Sequence, residues 1–150
     1  MTHLVILLWY NVIMNTLEML EFAEENNIPV YHFKTHNKKA FCTADAIALD
    51  FCRVESEREC KMILSEEIGH IMTGALYPLY YCGNPLFSAS IAKQEKRAYD
   101  YSLTLQIPLN DLKLAITTGS TDFEIAEMLD VDITTLHEAV DYYKRKGMLE

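Results

Sequence analysis

The 150-residue sequence lacks the excess of positive charge that most nucleic-acid-binding proteins carry. Its 13 lysine and arginine residues are outnumbered by 22 acidic residues, which gives a formal net charge of −9. This charge repels nucleic-acid phosphates and anionic lipids alike, so binding to either would require a local basic patch. The tight basic run at 144–146 suits the last turn of a helix, where cations complement the macrodipole. We therefore assign that run no function.

The sequence also lacks the paired cysteines of a zinc ribbon or a redox motif. Its four cysteines, at 42, 52, 60 and 82, have no CxxC spacing and follow no cleavable secretory signal. We therefore expect reduced thiols in a cytoplasmic protein. The apolar stretch over 4–14 is shorter than the ~20 residues of a membrane helix and is broken by Asn11. It predicts a buried helix rather than a membrane span, with an anchor at the membrane surface as the alternative.

What is present indicates one compact α+β domain over 1–150. Half of the residues are hydrophobic and 23% are charged, a balance typical of a globular protein with a core. We expect a small antiparallel sheet on a central helix that Ser56 caps, and a helical C-terminal subregion over about 109–150. The predicted strands lie at 29–33, 40–43 and 46–50. The predicted helices lie at 16–26, 56–74, 88–108, 110–118, 122–129 and 134–146.

Two carboxylates interrupt the apolar faces of these predicted helices. At about 100° per residue, Glu67 shares a stripe with Leu64 and Ile71 on the central helix. On the next long helix Glu95 lies in line with Ala98. Burying a lone carboxylate costs several kcal/mol, roughly, unless it is paired or coordinates a metal. The two stripes therefore predict that both faces meet around one cation.

Glu66 and His70 strengthen this prediction because they stand four residues apart. Side chains at that spacing lie one above the other on a helical face, as the two ligands of an HExxH zinc site do. Taken alone, His70 would be interpreted as a satisfied histidine on a helix face. Glu66 and Glu67 would be interpreted as solvated surface charge. Together with Glu95 they favour a metal site.

The segment LSEEIGH at 64–70 resembles the metal-binding helix of the ImmA/IrrE metallopeptidases. Phage-type members of that family often have EExxH there in place of HExxH. Further similarity lies in IALD at 47–50, EKRAYDY at 95–101 and IPL at 107–109. The resemblance implies a zincin-like fold and a zinc-dependent endopeptidase.

The same resemblance implies a role for each residue of the motif. Glu66, His70 and Glu95 would be the metal ligands, and Glu67 would be the general base. Glu66 in place of a histidine makes the donor set more anionic, which could favour manganese or another oxygen-preferring metal over zinc. Three tyrosines of the following loop are candidates for stabilising an oxyanion, but packing of the loop is the stronger interpretation and none of them is assigned a role: Tyr77, Tyr80 and Tyr81.

The resemblance also implies a protein substrate, a DNA-binding repressor of a phage or mobile element whose repression is relieved. The alternative is a catalytically silent relative that inhibits such a repressor by contact. A third hypothesis arises because 123–140 is similar to a helix-turn-helix. Seven acidic residues and no lysine or arginine lie between Ser120 and Tyr143, which argues against DNA binding.

The remaining histidines and Cys82 enter no site at this level. His3, His32, His36 and His137 have no matching partners in the sequence pattern. Cys82 follows the central helix and could lie near the metal, but a buried structural thiol is the stronger interpretation.

We predict that the purified protein does not bind duplex DNA at physiological salt, because its helix-turn-helix-like segment presents carboxylates to the phosphates. An electrophoretic mobility-shift assay with and without competitor DNA tests this. A shifted band that survives the competitor would contradict the prediction.

Overall fold

The computed structural model describes residues 14–34, 37–76 and 85–150, with the backbone alone over 85–87. These residues fall into two compact units, Thr16–Ser102 and a second unit in which Leu103–Glu150 is joined by the described residues 14–15. The predicted helical subregion over about 109–150 lies wholly in the second unit. One domain over 1–150 stays a prediction, and the predicted helix over 4–14 lies almost wholly outside the described residues.

The first unit is α+β, as the apolar periodicity predicts. Its first helix, α1 (Thr16–Glu25), packs against α2 (Glu57–Thr73), the helix that carries the EExxH motif. Met19 and Ala23 are the fully buried residues of α1. Ser56 caps α2, because its hydroxyl accepts the Glu59 backbone N–H at 3.1 Å. The predicted bounds of both helices are confirmed to within about one residue.

Three short strands lie between these helices: β1 (Val30–His32), β2 (Ala40–Cys42) and β3 (Ile47–Leu49). The strand order is β1-β3-β2. β2 pairs antiparallel to β3, with Ala40 opposite Leu49, but β1 pairs parallel to β3, with Val30 opposite Ile47. The prediction of an antiparallel sheet is therefore wrong, because the sheet is mixed.

The chain connections explain the mixed sheet. β2 and β3 are joined by the short turn over 43–46, which forces them to run in opposite directions. His32 at the end of β1 and Ala40 at the start of β2 both lie opposite Leu49, so β1 and β2 run in opposite directions. β1 and β3 must then be parallel. Alternating hydrophobicity marks the strands but does not show that β3 occupies the centre.

An ion pair links the sheet to α2, against which β2 packs. The Lys39 ammonium lies 2.6 Å from the Glu59 carboxylate, and the Glu55 backbone N–H donates to the same carboxylate at 2.8 Å. Both hydrogen bonds lower the pKa of Glu59, and the one from Glu55 has the larger effect. The start of β2 is thus tied to the first turn of α2.

The long helix α3 (Pro85–Gln106) begins earlier than the sequence predicts. Ser88, the first residue of the predicted helix over 88–108, lies inside its first turns. Proline is well suited to the first turn of a helix, because its missing N–H would have no partner there. Pro85 therefore starts α3.

The second unit consists of helices in its described part. α4 (Leu109–Thr118), α5 (Asp122–Met128) and α6 (Ile133–Arg145) follow α3 and confirm the three predicted helices. A capping box between Thr121 and Glu124 starts α5. The buried Tyr143 hydroxyl donates to the Ile107 carbonyl at 2.8 Å and ties α6 to the end of α3. None of the helices in the described ranges is long and apolar enough to cross a membrane.

Candidate metal site

The buried face of α2 is rotated relative to the predicted stripe. Ser65 and Ile68 are fully buried, whereas Glu67 and Ile71 are only half-buried. Glu67 therefore lies at the border of the buried face and not at its centre. The centre includes Gly69, a residue whose packing role leaves no signal in hydrophobic periodicity.

Gly69 lies where the backbones of α2 and α3 meet. A Cβ atom at this position would lie 2.4 Å from the Ala98 carbonyl oxygen and 3.5 Å from the Ser102 backbone nitrogen. Real Cβ atoms do not approach a backbone oxygen so closely, so only glycine permits this contact. His70 follows Gly69 directly, and Glu95 lies about one turn before Ala98. The contact therefore sets the separation of two predicted ligands.

His70 and Glu95 are brought together at this crossing. The His70 Nε2 atom lies 3.7 Å from the Glu95 Oε2 atom. The His70 Nδ1 atom lies 3.0 Å from the Ala75 carbonyl oxygen, which can only accept a hydrogen bond. Nδ1 therefore carries the proton, and in the neutral ring the Nε2 lone pair faces Glu95. Metal-binding histidines are commonly oriented by such a bond to a carbonyl.

The end of α2 places the Ala75 carbonyl beneath the imidazole. Gly74 has a φ of 65°, the left-handed conformation that ends many helices at glycine. The Ala75 backbone N–H then donates to the His70 carbonyl at 2.9 Å. Because of this turn, Ala75 contacts His70 twice: its N–H binds the His70 carbonyl, and its carbonyl faces the His70 ring. Gly74, which ends α2 four residues after His70, thus explains the orientation of the His70 ring.

Glu66 belongs to the same electrostatic neighbourhood. Burial and the nearby Glu67 carboxylate raise the pKa of Glu66, the Glu95 carboxylate adds to the rise, and His70 opposes it. Two carboxylates and one imidazole therefore act on Glu66. A cation among them would relieve this repulsion.

The three predicted ligands are not equally close together. Glu66 does not complete, with His70 and Glu95, a set of three ligand atoms mutually within 4.8 Å. The Glu95 side chain is 44% exposed, so it is free to change rotamer, and the His70 side chain is 22% exposed. The structure thus joins His70 with Glu95 and leaves Glu66 beside them.

Cys42 lies next to the site and was missed from the sequence. Burial and the interaction with the Glu67 carboxylate raise the pKa of Cys42 to about 12, and Glu95 also contributes. The thiol is therefore protonated at neutral pH and is a neutral neighbour of Glu67. Strand alternation contained the signal, since Cys42 shares the face of the buried Ala40. Cys82, for which the sequence favours a buried structural thiol over a place near the metal, lies outside the described residues, as do the loop tyrosines.

Two histidines expected to have no partners do have them. The His137 Nε2 atom lies 2.8 Å from the Asp122 carboxylate, so this pair links the starts of α6 and α5. His32 lies with Asp50 and Cys52, and the ligand atoms of these three residues are all within 4.8 Å of one another. Both pairings join residues far apart in sequence. His3 and His36 lie outside the described residues.

Comparison of the chain with family models, with curated proteins and with solved structures finds no match. Its function is therefore inferred from the residues of the site and from their geometry. Those are a histidine with an oriented Nε2 atom, three interacting carboxylates and one protonated thiol.

We predict that Gly69→Ala destabilises the protein by about 1–3 kcal/mol, the usual cost of overpacking. The added methyl group would meet the backbone oxygen of Ala98, which cannot rotate away. In an ordinary helix position the same change is stabilising, by about 0.5–1 kcal/mol. Urea unfolding measures the difference, with Met72→Ala on the exposed face of α2 as the control. A more stable Gly69→Ala variant would show that the helices do not touch there.

We predict that Glu66→Gln raises the melting temperature at neutral pH in buffer with a chelator. Because the folded pKa of Glu66 is raised, the stability that its protonated form contributes is complete below the unfolded pKa and is lost as the pH rises through the folded value. The amide avoids that loss, so the gain should shrink as the pH is lowered toward the usual range of a glutamate, about 4. Melting curves across this range measure it, with Glu25→Gln on the surface as the control. An equal gain at every pH would contradict the prediction.

Proposed function

We propose that this protein is a zinc-dependent metallo-endopeptidase of the ImmA/IrrE type with a zincin-like fold. The observation that carries the proposal is the His70 imidazole, which Ala75 orients so that its Nε2 atom faces the Glu95 carboxylate at 3.7 Å. Two helices thus present a nitrogen and an oxygen ligand to the same point.

The donor set proposed is Glu66, His70 and Glu95. Two carboxylates and one imidazole suit zinc, whose bonds to oxygen and nitrogen are about 2.0–2.2 Å, and the extra carboxylate also suits manganese. The raised pKa of Glu66, caused first by burial and then by the Glu67 and Glu95 carboxylates, supports this assignment, because a cation would offset both effects. When bound, zinc would lower the pKa of a coordinated water and polarise the substrate carbonyl.

Glu67 is proposed as the general base. It follows Glu66 directly and so lies about 100° further around α2, beside the ligands and not among them. It is half-buried and faces the Cys42 thiol, a neutral neighbour that leaves the carboxylate to accept a proton. Glu67 would take a proton from the attacking water and pass it to the amine that leaves the cleaved peptide bond.

The proposed substrate is a DNA-binding repressor, which this protein would cleave in the cytoplasm. The charge of this protein supports a protein partner over a nucleic acid, since α5 and α6 together present carboxylates and lack a basic run before Lys144. The identity of the repressor follows from the family resemblance alone.

A catalytically silent relative that binds the repressor is the second candidate. The observation that favours it is the position of Glu66, which does not join His70 and Glu95 in a compact set of ligand atoms. A site that holds its metal weakly would hydrolyse little, while the surface that recognises the repressor would be retained.

We predict that Glu67→Gln lowers hydrolysis of the repressor by roughly 10²–10⁴-fold, because an amide cannot accept the proton of the water. Its metal content should equal that of the wild type, whereas His70→Ala should lose one equivalent of metal. Metal analysis of protein purified without added metal, beside a cleavage assay, measures both. Glu57→Gln, on the exposed first turn of the same helix, is the control.

The same variants separate the two candidate functions. If the Glu67→Gln variant cleaves the repressor at the wild-type rate, Glu67 is not the base. Release of the repressor from its operator by wild type and by Glu67→Gln, with no cleavage by either, would establish the silent binder.

A further inference from the structure

A second group of chemically reactive side chains lies at one edge of the sheet. His32 ends β1, Asp50 follows β3 directly, and Cys52 lies in the short 3-10 helix Phe51–Arg53 that comes next. Each of these residues offers one ligand atom, and all three atoms lie within 4.8 Å of one another. None of them belongs to the site on α2.

The parallel pairing of β1 with β3 brings these residues together. His32 lies opposite Leu49 in the register, so the carboxyl ends of both strands meet at the same edge. Asp50 and Cys52 follow Leu49 immediately and therefore share that edge with His32. An antiparallel pairing would have separated them by the length of the sheet, which is why the sequence pattern did not reveal the group.

Asp50 is the fixed member of the group. It is only 3% exposed, its backbone N–H donates to the Lys39 carbonyl at 2.8 Å, and its Oδ1 atom accepts the Cys52 backbone N–H at 3.2 Å. The last of these contacts also holds Cys52 beside the carboxylate.

His32 and Cys52 are the adjustable members. Both are exposed, so their side chains can close on a ligand without repacking the core. The Phe51 ring lies 5.8 Å from the His32 ring at an angle of 40° and keeps the imidazole over this edge. The Phe33 backbone N–H donates to the Leu49 carbonyl at 3.1 Å, which holds the end of β1 against β3.

We propose that His32, Asp50 and Cys52 bind one divalent cation of the zinc class. Imidazole nitrogen, carboxylate oxygen and thiolate sulfur are the three ligand types of zinc, with bonds of about 2.0–2.3 Å. Tetrahedral geometry at those lengths separates ligand atoms by roughly 3.3–3.7 Å, so a small closure of the exposed side chains suffices. Zinc is favoured over magnesium or calcium because those cations avoid sulfur.

Binding forms a bond between the cation and the Cys52 Sγ atom and breaks the S–H bond, whose proton passes to water. The exposed side chains leave a fourth position open to solvent. The cation would join the carboxyl ends of β1 and β3, the two strands whose parallel pairing creates the site. Because it would bind the folded state alone, it would also raise the melting temperature. This inference is independent of the function proposed for α2.

Cobalt(II) titration of the full chain, after removal of bound metal with a chelator, tests the site. Wild type should show the near-ultraviolet charge-transfer absorption of a cobalt–thiolate bond. The intensity of this band should saturate once one cobalt ion is bound at a thiolate in each chain. Cys52→Ser should lose this band, and His32→Ala should bind roughly tenfold more weakly or worse. Both changes are at exposed positions and are expected to leave the fold intact, which circular dichroism checks.

Two controls distinguish this site from the one on α2. Cys42→Ser removes the thiol beside Glu67, and His70→Ala removes a proposed ligand of the other site, so both variants should keep the cobalt–thiolate band. Absence of the band in wild type, its persistence in Cys52→Ser, or its loss in Cys42→Ser or His70→Ala would each overturn the proposal. The outcome is separate from that of the cleavage assay, because no catalytic residue is changed in Cys52→Ser.

Discussion

The candidate site on α2 depends on one backbone contact, where Gly69 meets Ala98. Because no Cβ atom fits there, α2 and α3 approach more closely than helices separated by side chains. That approach brings His70 within 3.7 Å of Glu95, although the two residues belong to different helices. The Gly74 turn then supplies the carbonyl that orients the ring. A glycine with no chemistry of its own thus determines which functional groups meet.

Charge repulsion is the second constraint on this part of the molecule. Glu66, Glu67 and Glu95 act on one another at the border of a core, and burial raises the pKa of both Glu66 and Cys42. In the function proposed for α2, a cation held by Glu66, His70 and Glu95 would offset this repulsion.

The mixed sheet gives the protein a second place where side chains able to bind a metal lie close together. Parallel strands end at the same edge, so residues that follow each strand become neighbours without any relation in sequence spacing. His32, Asp50 and Cys52 are the result. Two candidate metal sites therefore lie in the unit Thr16–Ser102. A helix crossing positions the residues of one, and strand direction positions those of the other.

The sequence by itself determined the elements and the chemistry of the motif. Local signals such as the Ser56 cap, strand alternation and the four-residue spacing of Glu66 and His70 act within a few residues of chain, so periodicity captures them. Tertiary structure alone decided the direction of β1, the rotation of α2 and the neighbours of Cys42. Each of these depends on contacts between segments far apart in sequence, and Gly69 shows why: its effect comes from the space it leaves for another helix.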